Sequence, residues 1–281
     1  MLGKPFWRGF RPINSDMNHP APKPQWLSRT GIRRRGIFWL PNAITTCGLF
    51  AGFYAIVQAM NLRFELAAAG VFAAMVFDAL DGRVARLTRT QSEFGAEYDS
   101  LSDMVSFGAA PALVIYEWSL KGMGRLGWCA AFIYCACAAL RLARFNTNIE
   151  VVDKRYFQGL PSPAAAGLIA GLVWAMEAYD VARADVPWLA WSLTLFAGFT
   201  MVSNVRFYSG KDINLRKSVS FSVLVMIALA VVALMQVTDN LPEVLFSLFA
   251  IYAASGYAMW AWVRLRKKPI APPPPSSGSD L

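Results

Sequence analysis

The stretch "FDALDGRVARLTRTQSEFGAEYDSLSD", Phe77 to Asp103, lies at the junction of two long apolar segments. It carries six acidic residues, four of which are aspartates: Asp78, Asp81, Asp99 and Asp103. The chain around it is apolar, since 56% of its 281 residues are hydrophobic, only 16% are charged, and the mean hydropathy is +0.38. Soluble domains carry about 25% charged residues. The composition therefore predicts a membrane protein with a concentrated set of carboxylates.

The apolar segments on both sides of this stretch have the length of membrane spans. A spanning helix needs about 20 mostly apolar residues, because the hydrocarbon core is about 30 Å thick. The apolar runs are too long, and lack the alternation, for membrane strands. We predict an all-α integral membrane protein with about eight transmembrane helices. They run roughly over residues 39–60, 64–84, 98–119, 126–146, 162–179, 187–206, 217–237 and 242–263.

The distribution of Lys and Arg predicts the orientation of these helices. Most of the 27 basic residues lie before the first segment and after the second, fourth, sixth and eighth. Under the positive-inside rule, both termini and the aspartates face the cytoplasm. We predict a multi-pass protein of the cell inner (plasma) membrane. The net charge of +9 follows from this topology and predicts no nucleic-acid partner. The opposite side keeps Arg63, Lys121, Arg125 and Arg183.

Three regions follow from the same patterns. Residues 1–38 form a basic cytoplasmic N-terminal segment, part of which could lie on the membrane as an interfacial helix. Residues 39–265 form the transmembrane domain that carries the aspartates. Residues 266–281 form a Pro/Ser-rich tail, which we predict to be disordered.

The spacing of the aspartates predicts one carboxylate cluster. Asp78 and Asp81 are three residues apart, and Asp99 and Asp103 are four apart, so each pair shares a helix face. The two helices are joined by a short connection, which brings the aspartate-bearing ends together. Four close carboxylates repel one another unless cations neutralise them. Two divalent ions, Mg²⁺ or Mn²⁺, suit such oxygen ligands and typically serve phosphoryl displacement.

Small and basic residues between the aspartates fit a phosphate ligand. Gly82, Ala85 and Gly95 lack bulk, so a phosphate and its metal ions can approach the backbone. Arg86 stands near as a bidentate phosphate partner. Two further polar residues, Asn42 and Thr45, lie at the start of the first helix. The alternative is that the aspartates only cap helix ends or pair with neighbouring basic residues, namely Arg83, Arg86 and Arg89.

The pattern Asp78-x2-Asp81-Gly82-x2-Ala85-Arg86-x8-Gly95-x3-Asp99-x3-Asp103 resembles the complete signature of the CDP-alcohol phosphatidyltransferases. These are integral membrane enzymes that use an alcohol to displace CMP from a CDP-linked lipid. The resemblance implies a six-helix core and a homodimer. It also implies metal ligands at Asp78, Asp81 and Asp99, with Asp103 completing the cluster and acting as general base. The CDP site would be lined by Gly82, Ala85, Arg86 and Gly95, and Asn42 and Thr45 could contact the nucleotide.

Three further stretches resemble the phosphatidylserine synthase branch of that family. They are "LPNAITTCGLFAGFYAI" (40–56), the region from "RLARFN" (141–146) to "FQGLPSPAAAG" (157–167), and "MVSNVRFYSGKD" (201–212). The resemblance implies phosphatidyl transfer from CDP-diacylglycerol to L-serine, with release of CMP. The serine carboxylate needs a fixed cation, for which we favour Arg144 and Arg206 over Arg141 and Lys211.

Two other functions stay open at this point. The acceptor could carry a phosphate, which would make the protein a phosphatidylglycerophosphate or phosphatidylinositol-phosphate synthase. Outside the enzyme class, the four aspartates could form the ion site of a divalent-cation transporter. Transport would favour carboxylates near the bilayer midplane, whereas these lie at the predicted cytoplasmic rim.

Overall fold

A computed structural model describes residues 30–147, 156–208 and 241–266. These residues are helical apart from a short two-stranded ribbon and the connections. A π-helical segment, Met104–Ala109, joins α3 to α4 without a break, and a 3₁₀ turn, Leu120–Met123, precedes α5. The elements are α1 (Thr30–Met60), α2 (Phe64–Thr88), α3 (Glu93–Asp103), α4 (Ala110–Trp118), α5 (Arg125–Thr147), β1 (Tyr156–Gln158), α6 (Ser162–Ala178), α7 (Pro187–Val202), β2 (Arg206–Tyr208) and α8 (Leu241–Arg266).

The helices confirm the prediction of an all-α membrane protein. Three of the described helices contain a stretch long and apolar enough to cross a bilayer: Trp39–Met60, Arg125–Thr147 and Leu241–Ala261. Two shorter apolar helices are α6 and α7. The predicted span 217–237 lies outside the described residues, as do most of the two predicted terminal regions. The number of spans and the domain boundaries stay predictions.

The sixth apolar segment, predicted to run roughly to residue 206, ends as a helix slightly earlier. Helix α7 ends at Val202, because Ser203 takes an extended conformation and its hydroxyl donates to the Thr200 carbonyl at 2.9 Å. The chain then forms β2, which pairs antiparallel with β1. The sequence analysis predicted no strands, and a three-residue strand is too short to give an alternating pattern.

Close packing of small residues holds α1 against α2 and against the π-helical segment. A Cβ added to Gly70 of α2 would lie 3.0 Å from the carbonyl oxygen of Ala51 in α1. A Cβ added to Gly52 would lie 2.7 Å from Cα of Ser106. Small residues let helix backbones approach each other in membranes, where packing drives helix association. Helix α1 therefore fixes both aspartate-bearing helices relative to itself.

A polar contact set ties the opposite end of the bundle together, and we call it the Glu177 clasp. Oε1 of Glu177 accepts from Nε1 of Trp118 at 2.7 Å and from Nε of Arg183 at 2.8 Å. The Arg183 guanidinium also lies 4.4 Å from the centre of the Phe64 ring. Trp118 follows Asp103 along one continuous helix, so the clasp lies about 20 Å from the aspartates. It joins the ends of α2, α4 and α6.

The β-ribbon is anchored on α8. Phe207 of β2 is fully buried, and its ring centre lies 5.9 Å from that of Tyr252 and 6.5 Å from that of Tyr257. Gly159, directly after β1, has a φ of +80°, and an added Cβ would clash with the Met201 carbonyl. Glycine takes this backbone conformation at no steric cost. The ribbon thereby leads the chain from α5 into α6.

Candidate active site

The structure brings the four aspartates to one place. One carboxylate oxygen from each of Asp78, Asp99 and Asp103 lies within 4.8 Å of the other two. Asp81 is only 4% exposed, and its Oδ2 accepts a hydrogen bond of 2.7 Å from the Thr45 hydroxyl. All four line one narrow pocket between α1, α2 and α3. The convergence expected from the spacing is therefore present, whereas the roles of the residues as ligands and base stay predictions.

The carboxylate cluster fits a divalent ion. Mg²⁺ binds oxygen ligands at about 2.0–2.1 Å, so two ligands of one ion lie about 3–4 Å apart. The observed limit of 4.8 Å between the three oxygens needs only small side-chain rotations to reach that spacing. The donor set contains only oxygen, which suits Mg²⁺ or Mn²⁺ better than a soft metal.

Capping and local ion pairing do not explain the aspartates. Asp78 and Asp81 lie inside α2, and the helix continues beyond Asp103. The N-cap of α3 is Ser92, whose hydroxyl accepts from the Gly95 N–H at 3.0 Å. Within residues 30–147, 156–208 and 241–266, the recorded ion pairs join Lys121 to Glu117 and Arg183 to Glu177. None of them involves the four aspartates, although the Arg86 guanidinium acts electrostatically on Asp81.

A cleft of about 260 Å³ opens beside the carboxylate cluster, between α1, α2 and α3. It contains every residue that the sequence analysis proposed for CDP, namely Asn42, Thr45, Gly82, Ala85, Arg86 and Gly95. Asp81 and Asp99 also line it, so the cleft and the cluster share a wall. Sequence reasoning missed five further lining residues, for which no local pattern stood out: Pro41, Thr90, Gln91, Ser92 and Ala96.

Hydroxyl groups on α3 fix it to its neighbours. The Ser102 hydroxyl donates to the Thr45 carbonyl at 3.3 Å, which joins α3 to the turn of α1 that contacts Asp81. Asn146, at the end of α5, donates through Nδ2 to the Ser100 hydroxyl at 3.0 Å. Sequence reasoning missed both contacts, and their only signal was the presence of polar residues beside the aspartates. They hold the aspartate-bearing face of α3 in place.

The basic residues considered for serine differ in their surroundings. Arg144 donates through Nη2 to Oε1 of Gln158 and to Oδ1 of Asn204, both at 2.6 Å, so it ties α5 to the ribbon. Arg141 donates through Nη1 to the Ser162 hydroxyl at 2.7 Å, while its Nε is buried without a partner. Lys211 and the side chain of Arg206 lie outside the described residues.

Arg141 also interacts electrostatically with the cluster. Its guanidinium acts electrostatically on the carboxylates of Asp103 and Asp78. Sequence position favoured Arg144 over Arg141 for serine, whereas the contacts of the two side chains favour Arg141.

Residues 38–202 match the sequence profile of the CDP-alcohol phosphatidyltransferases. The chain belongs to this family. The resemblance inferred from the aspartate signature is thus confirmed, and with it the assignment to the transferases of phospholipid biosynthesis.

Several relatives carry one name, CDP-diacylglycerol–serine O-phosphatidyltransferase. The protein of that name from Helicobacter pylori is 33% identical over 230 residues, which cover 82% of this chain and 94% of the relative. The one from Methanocaldococcus jannaschii is 36% identical over 173 residues, covering 62% of this chain and 75% of the relative. The one from Mycobacterium tuberculosis is 41% identical over 147 residues, covering 50% and 51%.

Proposed function

We propose that this family member transfers the phosphatidyl group of CDP-diacylglycerol to L-serine and releases CMP, with Mg²⁺ or Mn²⁺ as cofactor. The observation that carries the proposal is the carboxylate cluster that shares a wall with the cleft lined by Gly82, Ala85 and Arg86. The serine acceptor is supported by the Helicobacter pylori relative, whose name specifies serine and whose matched region is 94% of its length.

The residues around the cleft have separate roles in the reaction. Arg86 and the bare backbone at Gly82 bind the CDP phosphates, while the carboxylates of Asp78, Asp81, Asp99 and Asp103 would hold two divalent ions. Those ions supply charge neutralisation to the pyrophosphate and the leaving group. Asp103 accepts the proton of the serine hydroxyl. The serine oxygen bonds to the phosphatidyl phosphorus, the bond between that phosphorus and the CMP oxygen breaks, and CMP leaves.

We assign the serine carboxylate to Arg141. Its buried Nε has no partner, and its charge reaches Asp103, where the serine hydroxyl must lose a proton. A planar guanidinium binds a carboxylate through two parallel hydrogen bonds. Arg144, favoured from the sequence, already donates to Gln158 and Asn204. Its role is then to shape the ribbon beside the acceptor.

We propose that the reaction takes place at the cytoplasmic face of the membrane. The distribution of Lys and Arg supports an active site that faces the cytoplasm from the inner (plasma) membrane, with both termini on that side. The lipid tails of the donor stay in the bilayer, while serine and CMP exchange with the aqueous phase. The enzyme acts as a homodimer, as its family resemblance implies.

The acceptor is tested by CMP release from CDP-diacylglycerol in the presence of Mn²⁺. Purified protein receives serine, glycerol 3-phosphate, inositol phosphate or water in separate reactions. We expect release with serine only, and loss of release when a chelator removes the metal. Release with a phosphorylated alcohol instead would retain the family chemistry and overturn the serine assignment.

Replacement of Arg141 by glutamine tests the carboxylate partner. We expect the KM for serine to rise about tenfold or more, because a charge-assisted bidentate contact is lost. The KM for CDP-diacylglycerol should change much less. Arg144→Gln is the matched control and should lower the melting temperature without a selective effect on serine. A selective rise in serine KM for Arg144→Gln, with none for Arg141→Gln, would reverse the assignment.

A further inference from the structure

The helix that carries Asp99 and Asp103 changes its winding directly after Asp103. Residues Met104–Ala109 form a π-helical segment in which the Ala110 N–H donates to the Val105 carbonyl, five residues before it. Such widened turns inside α-helices are rare and occur frequently at functional sites. The segment is continuous with α3 on one side and α4 on the other.

A proline explains why the helix widens at this point. Pro111 has no N–H to donate to the carbonyl of Phe107, four residues before it, and its ring would clash with that carbonyl in an α-helix. Widening the turn removes the clash but takes the Phe107 carbonyl out of the α-helical hydrogen-bond pattern. A buried carbonyl without a partner destabilises a fold, above all in a membrane.

Tyr134 of α5 supplies a partner for this carbonyl. Its hydroxyl donates to the Phe107 oxygen at 3.1 Å, and the residue is fully buried. The position of Tyr134 is itself fixed, because a Cβ added to Gly198 of α7 would lie only 3.2 Å from Cα of Tyr134. A rigid donor therefore meets the carbonyl that Pro111 leaves free.

The widened turn sets the direction in which α3 presents its carboxylates. An α-helix turns about 100° per residue, so one extra residue in a turn rotates everything before it by about that angle relative to everything after it. On the far side, α4 buries Val114 and Ile115 in the core. On the near side, Asp99 and Asp103 face Asp78. With α4 fixed by its apolar face, closure of the turn would rotate both aspartates away from α2.

Contacts with α1 place the widened turn next to the carboxylate pocket. The Ser106 hydroxyl donates to the Gly48 carbonyl at 3.2 Å, and Ser106 and Phe107 both line the pocket of the four aspartates. The turn therefore lies directly next to the predicted metal site. A change in its winding is transmitted to Asp103 through a single helical turn.

We propose that Tyr134 is a positioning residue for the metal site: its hydroxyl stabilises the widened turn that Pro111 causes, and this turn aims Asp99 and Asp103 at Asp78. This inference rests on the proposed function, because it needs divalent ions at the cluster. Tyr134 acts through the Phe107 carbonyl and contacts neither substrate nor ion.

The test is Mn²⁺ binding by the full chain in detergent, measured as loss of the free Mn²⁺ signal in electron paramagnetic resonance. We expect Tyr134→Phe, which keeps the ring and removes the hydroxyl, to weaken Mn²⁺ binding by about tenfold, in the range found for residues that orient metal ligands. The Mn²⁺ concentration for half-maximal CMP release should rise by the same factor. Tyr116→Phe, which removes a hydroxyl from α4, is the matched control and should bind Mn²⁺ as the unmodified chain does.

A second variant separates positioning from stability. Pro111→Ala restores an N–H donor for the Phe107 carbonyl and permits an ordinary α-helical turn. We expect an unchanged or higher melting temperature together with weaker Mn²⁺ binding, a combination that a merely structural role does not produce. Mn²⁺ binding within twofold of the unmodified chain in both variants would overturn the inference alone. Absence of Mn²⁺ binding by the unmodified chain would overturn it together with the metal-dependent function.

Discussion

Replacement of Asp103 by asparagine is expected to lower CMP release with serine by at least about a thousandfold. The substitution removes both a proton acceptor and an anionic ligand, and general base catalysis alone contributes about 10²–10⁴. Asparagine keeps the size of the side chain, so the packing next to the widened turn is retained. The measurement is the initial rate of CMP release at saturating Mn²⁺, serine and CDP-diacylglycerol.

The control for this variant is Asp185→Asn, which changes an exposed aspartate in the connection between α6 and α7. It removes the same charge from the chain and should leave the rate within twofold of the unmodified protein. Melting temperatures of both variants establish that they are folded. Folded Asp103→Asn protein that keeps more than about a tenth of the rate would contradict a role for Asp103 as base.

Replacement of Ala85 by leucine is expected to reduce kcat/KM for CDP-diacylglycerol by about a hundredfold. Ala85 lines the cleft of about 260 Å³ beside Gly82 and Arg86, and a larger side chain occupies the space assigned to the CDP phosphates. A displacement of about 1 Å at a reacting centre costs about this much in rate. Binding of CDP in the presence of Mn²⁺, measured by isothermal titration calorimetry, should weaken in parallel.

Ala79→Leu provides the matched control on the same helix. Ala79 is exposed on α2 and does not line the cleft, so the added carbons project away from the site. This variant should bind CDP and release CMP at nearly the unmodified rate. Equal CDP affinity in the Ala85 and Ala79 variants would contradict binding of the nucleotide in the cleft.

The carboxylate cluster was predictable because its residues lie in one short stretch. Helical spacing places Asp78 and Asp81 on one face and Asp99 and Asp103 on another, and a short connection brings the two faces together. No long-range information was needed. The same reasoning applied to Gly82 and Gly95, which lie one helical turn or less from an aspartate.

The parts that were missed depend on partners far apart in the sequence. Arg144 meets Gln158 and Asn204 only because the ribbon brings β1 beside β2. Its position at the end of an apolar helix gave no sign that its donors were already in use. A cation near a predicted site is therefore ambiguous until the contacts of its guanidinium are known.

The sequence contained a signal for the widened turn, although the apolar pattern of the segment did not show it. Pro111 follows Phe107 by four residues inside a predicted span, and this spacing removes one helical hydrogen bond. The helix predicted over residues 98–119 begins earlier, at Glu93, and its winding was not predicted, because α3, the π-helical segment and α4 follow one another there. The apolar composition of a segment predicts the length of a span but not the hydrogen-bond pattern of its helix.

The Glu177 clasp has a consequence for the response of the protein to voltage. A single charge moved across a membrane potential of 100 mV changes in energy by about 2.3 kcal/mol. Arg183 and Glu177 are held together by contacts of 2.8 and 2.9 Å, so they carry no net charge as a unit. The pair therefore adds no net charge to any displacement of that end of the bundle, and the membrane potential exerts no net force on the pair itself.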